Sequence, residues 1–237
     1  MRPLNRLNPT QVREAYRSFE TADSYAEKHR RTAFKRLAAR WEAHLVQRAL
    51  ADAGARGPVL DSPCGTGRFL PVLTKIGSTT ALDASDAMVS RSRQELGDLA
   101  GAVHFLKAAF PHLPFQRDAF GSAVCLRYLH HLHTDVDLLA ALTELRRVTR
   151  GPVVVSLFLS GNLQSIRRRR KDLARGQARR FILKRNRLHW LAGSAGFEVS
   201  RCRSIFPGVS ALHVVTLLPG KEDTTSDRSC PVSSRAP

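Results

Sequence analysis

The chain has 237 residues, 43% hydrophobic and 24% charged, with 38 Lys+Arg against 20 Asp+Glu for a net charge of +18. This is the balance of one ordinary globular domain with at most a small appendage, which excludes a wholly disordered chain. No apolar run reaches the roughly 18 residues of a membrane span. The opening Met1-Arg2-Pro3-Leu4-Asn5 lacks the apolar core of a secretory signal.

The N-terminal part reads as helical. Phe34, Leu37, Ala38, Trp41, Leu45 and Ala49 recur at helical spacing, until Gly54, Gly57 and Pro58 break the pattern. We read residues 1–54 as a helical lid. Val59-Leu60 then leads, as a short strand, into Asp61-Ser62-Pro63-Cys64-Gly65-Thr66-Gly67. A helix is expected over 68–76, a strand from Thr79 to Leu82 ending at Asp83, and a helix over 86–97. Val103 to Leu106 and Phe120 to Leu126 read as the next two strands. A helix carries Leu138, Leu139, Leu142 and Leu145, and Val153 to Leu157 is a β-branched strand. Alternating strands and helices imply βαβ units around a parallel sheet. A basic insert over 162–187 interrupts the alternation. A short helix from Leu188 to Gly196 and a hairpin of Phe197 to Ile205 with Ala211 to Leu218 follow. From Pro219 the composition reads as a disordered tail. The expected domain is therefore 55–218.

Four scattered cysteines, Cys64, Cys125, Cys202 and Cys230, form no CxxC pair. That disfavours a zinc site or disulfide scaffold, so no metal site is expected, and it suits a reducing, cytoplasmic compartment.

The glycine loop draws its meaning from its position between a strand and a helix. Small residues there let a ligand approach the backbone, and helix-start amides receive polar groups. Asp83 closes the next strand 22 residues after Asp61, where an acid can accept ribose hydroxyls.

On these residues the chain resembles the class I S-adenosylmethionine-dependent methyltransferases. It is most similar to the bacterial group that includes ubiquinone and menaquinone biosynthesis enzymes. Val59 to Gly67, Ala81 to Met88, Leu113-Pro114-Phe115, Cys125 to Leu132 and Ala195 to Val199 carry the likeness. It implies a Rossmann-like, seven-stranded, mostly parallel α/β sheet whose last strand is antiparallel. S-adenosylmethionine is the implied cofactor. By the same resemblance, Asp61 and the loop Cys64, Gly65, Thr66, Gly67 hold its methionine end, with Arg68 beside them. Asp83 and Ala84 take the ribose, Met88 packs near the adenine, and Cys125 and Leu126 border the sulfonium. Two positions depart from the pattern. Pro63 stands where Gly is usual, leaving backbone contacts to Cys64 through Gly67. Ala109 stands where an Asp often bonds the adenine, and Phe110 is a stacking substitute. A lost neutral hydrogen bond costs only about 0.5–1.5 kcal/mol. Ala109 also keeps a non-catalytic binding protein as a competing reading.

Catalytic candidates follow the fourth strand: Arg127, Tyr128, His130, His131 and His133. His130 and His131 cannot both face the site in a helical turn, and His131 is the preferred base. Tyr25, Arg30 and Arg31 are lid candidates; Tyr16 and Phe19 read equally as packing residues. The expected acceptor is a small-molecule or lipid-linked metabolite methylated at oxygen or carbon, with RNA as the alternative. No Asn-Pro-Pro-Tyr motif of amine methylation follows the fourth strand.

The charge is local. Residues 58–166 carry 10 basic and nine acidic side chains, whereas residues 167–187 carry 11 and one. Three readings compete for this stretch. One is a solvated helix face. Another is contact with an anionic membrane, with Phe181, Ile182, Leu183 and Trp190 as its apolar side. The third is a grip on RNA phosphates. Oligomeric state is not legible.

Overall fold

The computed structural model describes residues 33–132, 134–175 and 181–220. The elements in chain order are α1 (Ala33–Asp52), β1 (Val59–Asp61), α2 (Leu70–Leu73), β2 (Thr79–Asp83), α3 (Asp86–Leu96), β3 (Val103–Lys107) and β4 (Ser122–Cys125). After them come α4 (Asp135–Val148), β5 (Val153–Leu159), α5 (Leu163–Arg175), β6 (Ile182–Leu183), α6 (Arg185–Ser194), β7 (Phe197–Ser204) and β8 (Leu212–Pro219). They build one eight-stranded sheet in the order β3-β2-β1-β4-β5-β8-β7, with β6 added onto β5.

Strands β1 to β6 pair in parallel, and β8 runs antiparallel to both β5 and β7. This is the expected Rossmann-like sheet, with one strand more. The extra strand, β6, is two residues long, too short to separate from a basic loop by pattern. The chain steps from β1 outward to β2 and β3, then returns to the other side for β4 and β5. The crevice between β1 and β4 is therefore the switch point where open α/β sheets bind ligands.

Burial on both faces explains the strand composition. All seven residues of β5 are buried. Val153, Val155, Leu157 and Leu159 pack into one apolar cluster with α4 and α6. Val154 and Phe158 pack into the other, with α1 and α2. That alternation follows from the two-residue period of a strand. Caps fix the helices. The Ser85 hydroxyl accepts from Met88 N at 3.3 Å at the start of α3, and Gly97 closes that helix at φ 57°. Thr134 caps α4, which has Asp135 and Asp137 in its first turn and Arg146 and Arg147 in its last.

Three expectations change. The helix expected over 68–76 shrinks to the four residues of α2, which begins with Pro71 at its second position. The described part of the expected lid, α1, is a layer of the domain itself. Leu45, Val46, Ala49 and Leu50 are buried against the sheet, and Trp41 Nε1 donates to Ile205 O at 2.9 Å. Part of the apolar side assigned to the basic insert serves the sheet: Leu183 is buried, and Ile182 and Leu183 pair with Phe158 and Leu159, whereas Trp190 stays 52% exposed. Tyr16, Phe19, Tyr25, Arg30, Arg31, His133 and the tail from 221 lie outside the described residues.

Candidate active site

The C-terminal ends of β1, β2 and β4 open into a cleft of about 1000 Å³, its mouth included. Of the residues singled out from sequence, Cys64, Gly65, Thr66 and Arg68 line its floor. Asp83, Ala84, Met88, Ala109 and Phe110 form one wall. Leu126, Arg127, Tyr128 and His131 form the other. Asp61, Gly67 and Cys125 do not line it. Cys125 packs into the core with α4, and Leu126, itself 5% exposed, takes the place that borders the cleft at the strand end.

Gly67 has a structural reason to be glycine. Its φ is +75°, and a Cβ there would lie 2.2 Å from Ser92 Oγ on α3. The loop and α3 therefore touch through bare backbone. Gly65, at φ +54°, has nothing within 4 Å of a built Cβ, and its amide donates to Asp83 Oδ2 at 3.0 Å. Cys64 N donates to Leu82 O at 2.8 Å and Gly67 N to Cys64 O at 3.0 Å. Three of the loop's amides are thus spent on the fold, which the sequence reading had assigned to the cofactor.

Asp83 organises the junction. Its second oxygen, Oδ1, accepts from Ser85 N at 2.9 Å. Burial pushes its carboxyl up to about 6, against the pull of the amides of Ser85, Gly65 and Ala84. Asp61, behind the loop, is driven well above the carboxylate range by burial and then by the charge of Asp83. Its Oδ2 is buried with no hydrogen-bond partner among the described residues. Burial and the same two acids also raise the Cys64 thiol well above its usual value, so Cys64 is not a thiolate nucleophile. Among the described residues no buried Lys or Arg pairs with these two acids.

The arginines of the cleft are held by a residue that the sequence reading missed. Glu42 of α1 has a fully buried side chain. Arg127 Nε and Nη2 bond its two oxygens at 3.0 and 2.5 Å, and Arg68 Nη2 bonds Oε2 at 2.5 Å. Burial pushes the Glu42 carboxyl up, but Arg127 and Arg68 outweigh it and hold the group below its ordinary value. Arg127 is therefore a positioned wall of the cleft with its guanidinium committed to Glu42. Its backbone, at φ 59°, is pinned by a 2.6 Å bond from its amide to Ser156 Oγ. A Glu among exposed charges of an N-terminal helix gave no signal of this.

Beyond Arg127, Leu129 to His131 form a single 3₁₀ turn. His130 is buried, with its ring 4.5 Å from Phe158, and His131 takes the cleft side. Phe110 stacks on Tyr128 at 5.2 Å and 17°, so the ring expected to stack on adenine already has a partner. The Leu113-Pro114-Phe115 turn is clamped by α4. Leu113 N donates to Glu144 at 2.6 Å, and Arg147 donates to the carbonyls of Phe115 and Leu113 at 2.7 and 3.0 Å.

Residues 59–151, which span β1 through α4, match a family model described as a methyltransferase domain. The matched stretch is a methyltransferase domain, in line with the resemblance to the class I enzymes. No curated protein matches the chain. Solved methyltransferases share its fold. Magnesium protoporphyrin IX methyltransferase from Synechocystis PCC 6803, with bound SAH, is similar at a TM-score of 0.73 and 17% identity, over 90% of this chain and 100% of that one. The 1,6-didemethyltoxoflavin-N1-methyltransferase of Burkholderia thailandensis, with bound substrate and S-adenosylhomocysteine, gives 0.62 and 19%, over 90% and 91%. A possible histamine N-methyltransferase from Thermotoga maritima gives 0.61 and 18%, over 86% and 97%.

The residues of the methyltransferase cleft fit its cofactor. Asp83 offers a carboxylate at the end of β2, Met88, Leu82 and Ala108 offer apolar walls, and Asp61 lies buried behind the loop with Oδ2 unpartnered among the described residues. Ala109 lines the cleft with a methyl group and supplies no acceptor for an adenine amino group.

Proposed function

We propose that this enzyme methylates an oxygen or carbon of a small-molecule or lipid-linked acceptor. The supporting observation is the asymmetry of the cleft: Asp83 at the end of β2 stands on one wall, and Tyr128 and His131 stand on the opposite wall. S-adenosylmethionine, when bound, supplies an electrophilic methyl on a good leaving group. The chain's own residues then need only align the acceptor and remove its proton. Asp83 binds and orients the ribose, and Asp61 balances the cationic end. Arg127, fixed by Glu42 and Ser156, shapes the acceptor side. His131 takes the proton of an acceptor hydroxyl or acidic carbon through a ring nitrogen, and Tyr128, braced on Phe110, sets the acceptor's angle. A base on the acceptor wall suits a hydroxyl or an acidic carbon; Leu126-Arg127-Tyr128-Leu129 replaces an amide-binding motif there.

Calorimetry with S-adenosylmethionine tests the first step, and absence of binding at millimolar cofactor rejects the reading. A methyl-incorporation screen over phenolic, enolic and isoprenoid acceptors tests the second. With an acceptor in hand, His131→Ala should lower kcat by about 10²–10⁴ with cofactor affinity unchanged; an unchanged kcat removes His131 as the base.

A further inference from the structure

Helix α5 leaves β5 at the edge of the sheet where the cleft opens. Arg168 lies over the Phe158 ring at 4.3 Å, Phe158 meets His130 at 4.5 Å, and His130 meets His131 of the cleft wall at 4.4 Å. The inner face of α5 is well anchored. Ser165 is buried, and Gln164 Oε1 accepts from Ala211 N at 2.9 Å.

The outer face has no such explanation. Leu163, Ile166, Arg167 and Arg170 follow i, i+3, i+4, i+7 spacing and share one stripe. All four are exposed, Leu163 by 44% and Ile166 by 51%. The turn between β7 and β8 abuts the start of this helix: Leu163 N donates to Gly208 O and Gln164 N to Val209 O, both at 3.0 Å. That turn exposes Phe206 by 37% and Val209 by 56%. Leu163, Ile166 and Val209 therefore face water around one helix start, with part of the Phe206 ring exposed beside them. Arg167, Arg169, Arg170 and Lys171 stand exposed beside them. The helix's one acid, Asp172, is only half-exposed, on the inner side.

A solvated helix face accounts for the arginines and leaves the apolar groups unexplained. Phosphates of RNA account for the charge, but bases stack on flat aromatic or guanidinium surfaces, and three of the four apolar groups are aliphatic. An anionic bilayer accounts for both, because apolar side chains enter the headgroup boundary while basic ones attract its charge. We propose that α5 and the β7–β8 turn form a docking surface for an anionic lipid bilayer. Leu163, Ile166, Phe206 and Val209 enter the interface, and Arg167, Arg169, Arg170 and Lys171 meet the headgroups. The surface goes beyond methyl transfer and does not rest on it.

Flotation of the full chain with vesicles tests this. Phosphatidylcholine vesicles with about a third phosphatidylglycerol should bind it, and pure phosphatidylcholine should not. Arg167→Gln and Arg170→Gln should each weaken binding by roughly fivefold at low salt. Ile166→Ser with Val209→Ser should also weaken it severalfold, and these variants should keep the circular dichroism of the parent. Failure to bind anionic vesicles overturns the proposal. So does binding that the Ile166→Ser, Val209→Ser pair leaves unchanged, since charge alone then suffices. An RNA oligonucleotide that displaces the vesicles with no dependence on those two residues assigns the surface to nucleic acid instead.

Discussion

The two sides of the sheet treat charge in opposite ways. On the β1–β2 side, Asp61 and Asp83 are buried, and Glu42 is sealed between that side and α1. On the β5–β8 side, the charges of α5 stand in water. A buried carboxylate is expensive unless it is paired or protonated, so it couples the fold to pH and to whatever binds it. An exposed arginine adds little to stability and is available to a partner. The few charges of the cleft are therefore coupled to whatever binds there, and the many charges of α5 are available to a partner.

The strongest way to break this contrast is at Asp83. Asp83→Ala removes the carboxylate from the cleft and also releases Gly65 N and Ser85 N. Cofactor affinity should fall by about 3 kcal/mol or more, over a hundredfold, at 1.5–3 kcal/mol for each charge-assisted bond. Calorimetry measures this directly, and an affinity within threefold of the parent removes Asp83 from the ribose role.

The same residue predicts a pH dependence with a definite sign. Its folded pKa of about 6 lies above the ordinary 3.8, so between those values the folded state holds a proton that the unfolded state has lost. Its contribution to stability is fully present below about pH 4 and is lost as pH rises through 6, a change on the order of 3 kcal/mol. Cofactor affinity should run the other way, weakening as pH falls through 6 and the carboxylate becomes neutral. Urea midpoints and calorimetric titrations from pH 5 to 8 should therefore move in opposite directions. In Asp83→Asn both should flatten across that window.

Glu42 sharpens the comparison because it bridges the acidic side to α1. Glu42→Gln leaves Arg68 and Arg127 without their shared counter-ion. Breaking a buried pair costs about 3–5 kcal/mol, but these arginines keep 21% and 30% of their side chains exposed and can turn to water. A loss of about 2 kcal/mol is expected from urea unfolding, with a rise in acceptor KM as Arg127 loosens. An unchanged midpoint makes the cluster an ordinary surface pair.

Sequence and structure part company along the same line. The strands, the switch-point crevice and Asp83 were legible because strand burial and the spacing of Asp61 and Asp83 are local patterns. Glu42 was not, because its partners lie 26 and 85 residues away and nothing local distinguishes it from Glu27 or Asp52. Cys125 was misplaced by one residue of strand alternation: the cleft begins where β4 ends, at Leu126. Sequence placed the apolar side of the basic insert at 181–183 and Trp190. There the two-residue β6 was hidden among arginines, and its pairing with β5 withdraws Ile182 and Leu183 from any partner. Trp190 stays exposed, but the apolar groups beside α5 come from two segments some 40 residues apart, Leu163 with Ile166 and Phe206 with Val209, which the hydrogen bonds of the β7–β8 turn bring together.

The smallest expected effect tests the other half of the contrast. Arg170 is exposed. Arg170→Gln should change stability by no more than about 0.5 kcal/mol, the range of surface substitutions away from caps and pairs. It should leave cofactor affinity unaltered, because its side chain faces away from the inner contacts of α5. The same substitution removes one positive charge from a face where the only nearby acid on the helix, Asp172, is turned inward. Any function of this charge must then appear in binding to an anionic surface and nowhere else. A stability loss above 1 kcal/mol would show that the arginines of α5 hold the fold together as Glu42 does, and the division of labour between the two sides of the sheet would fall with it.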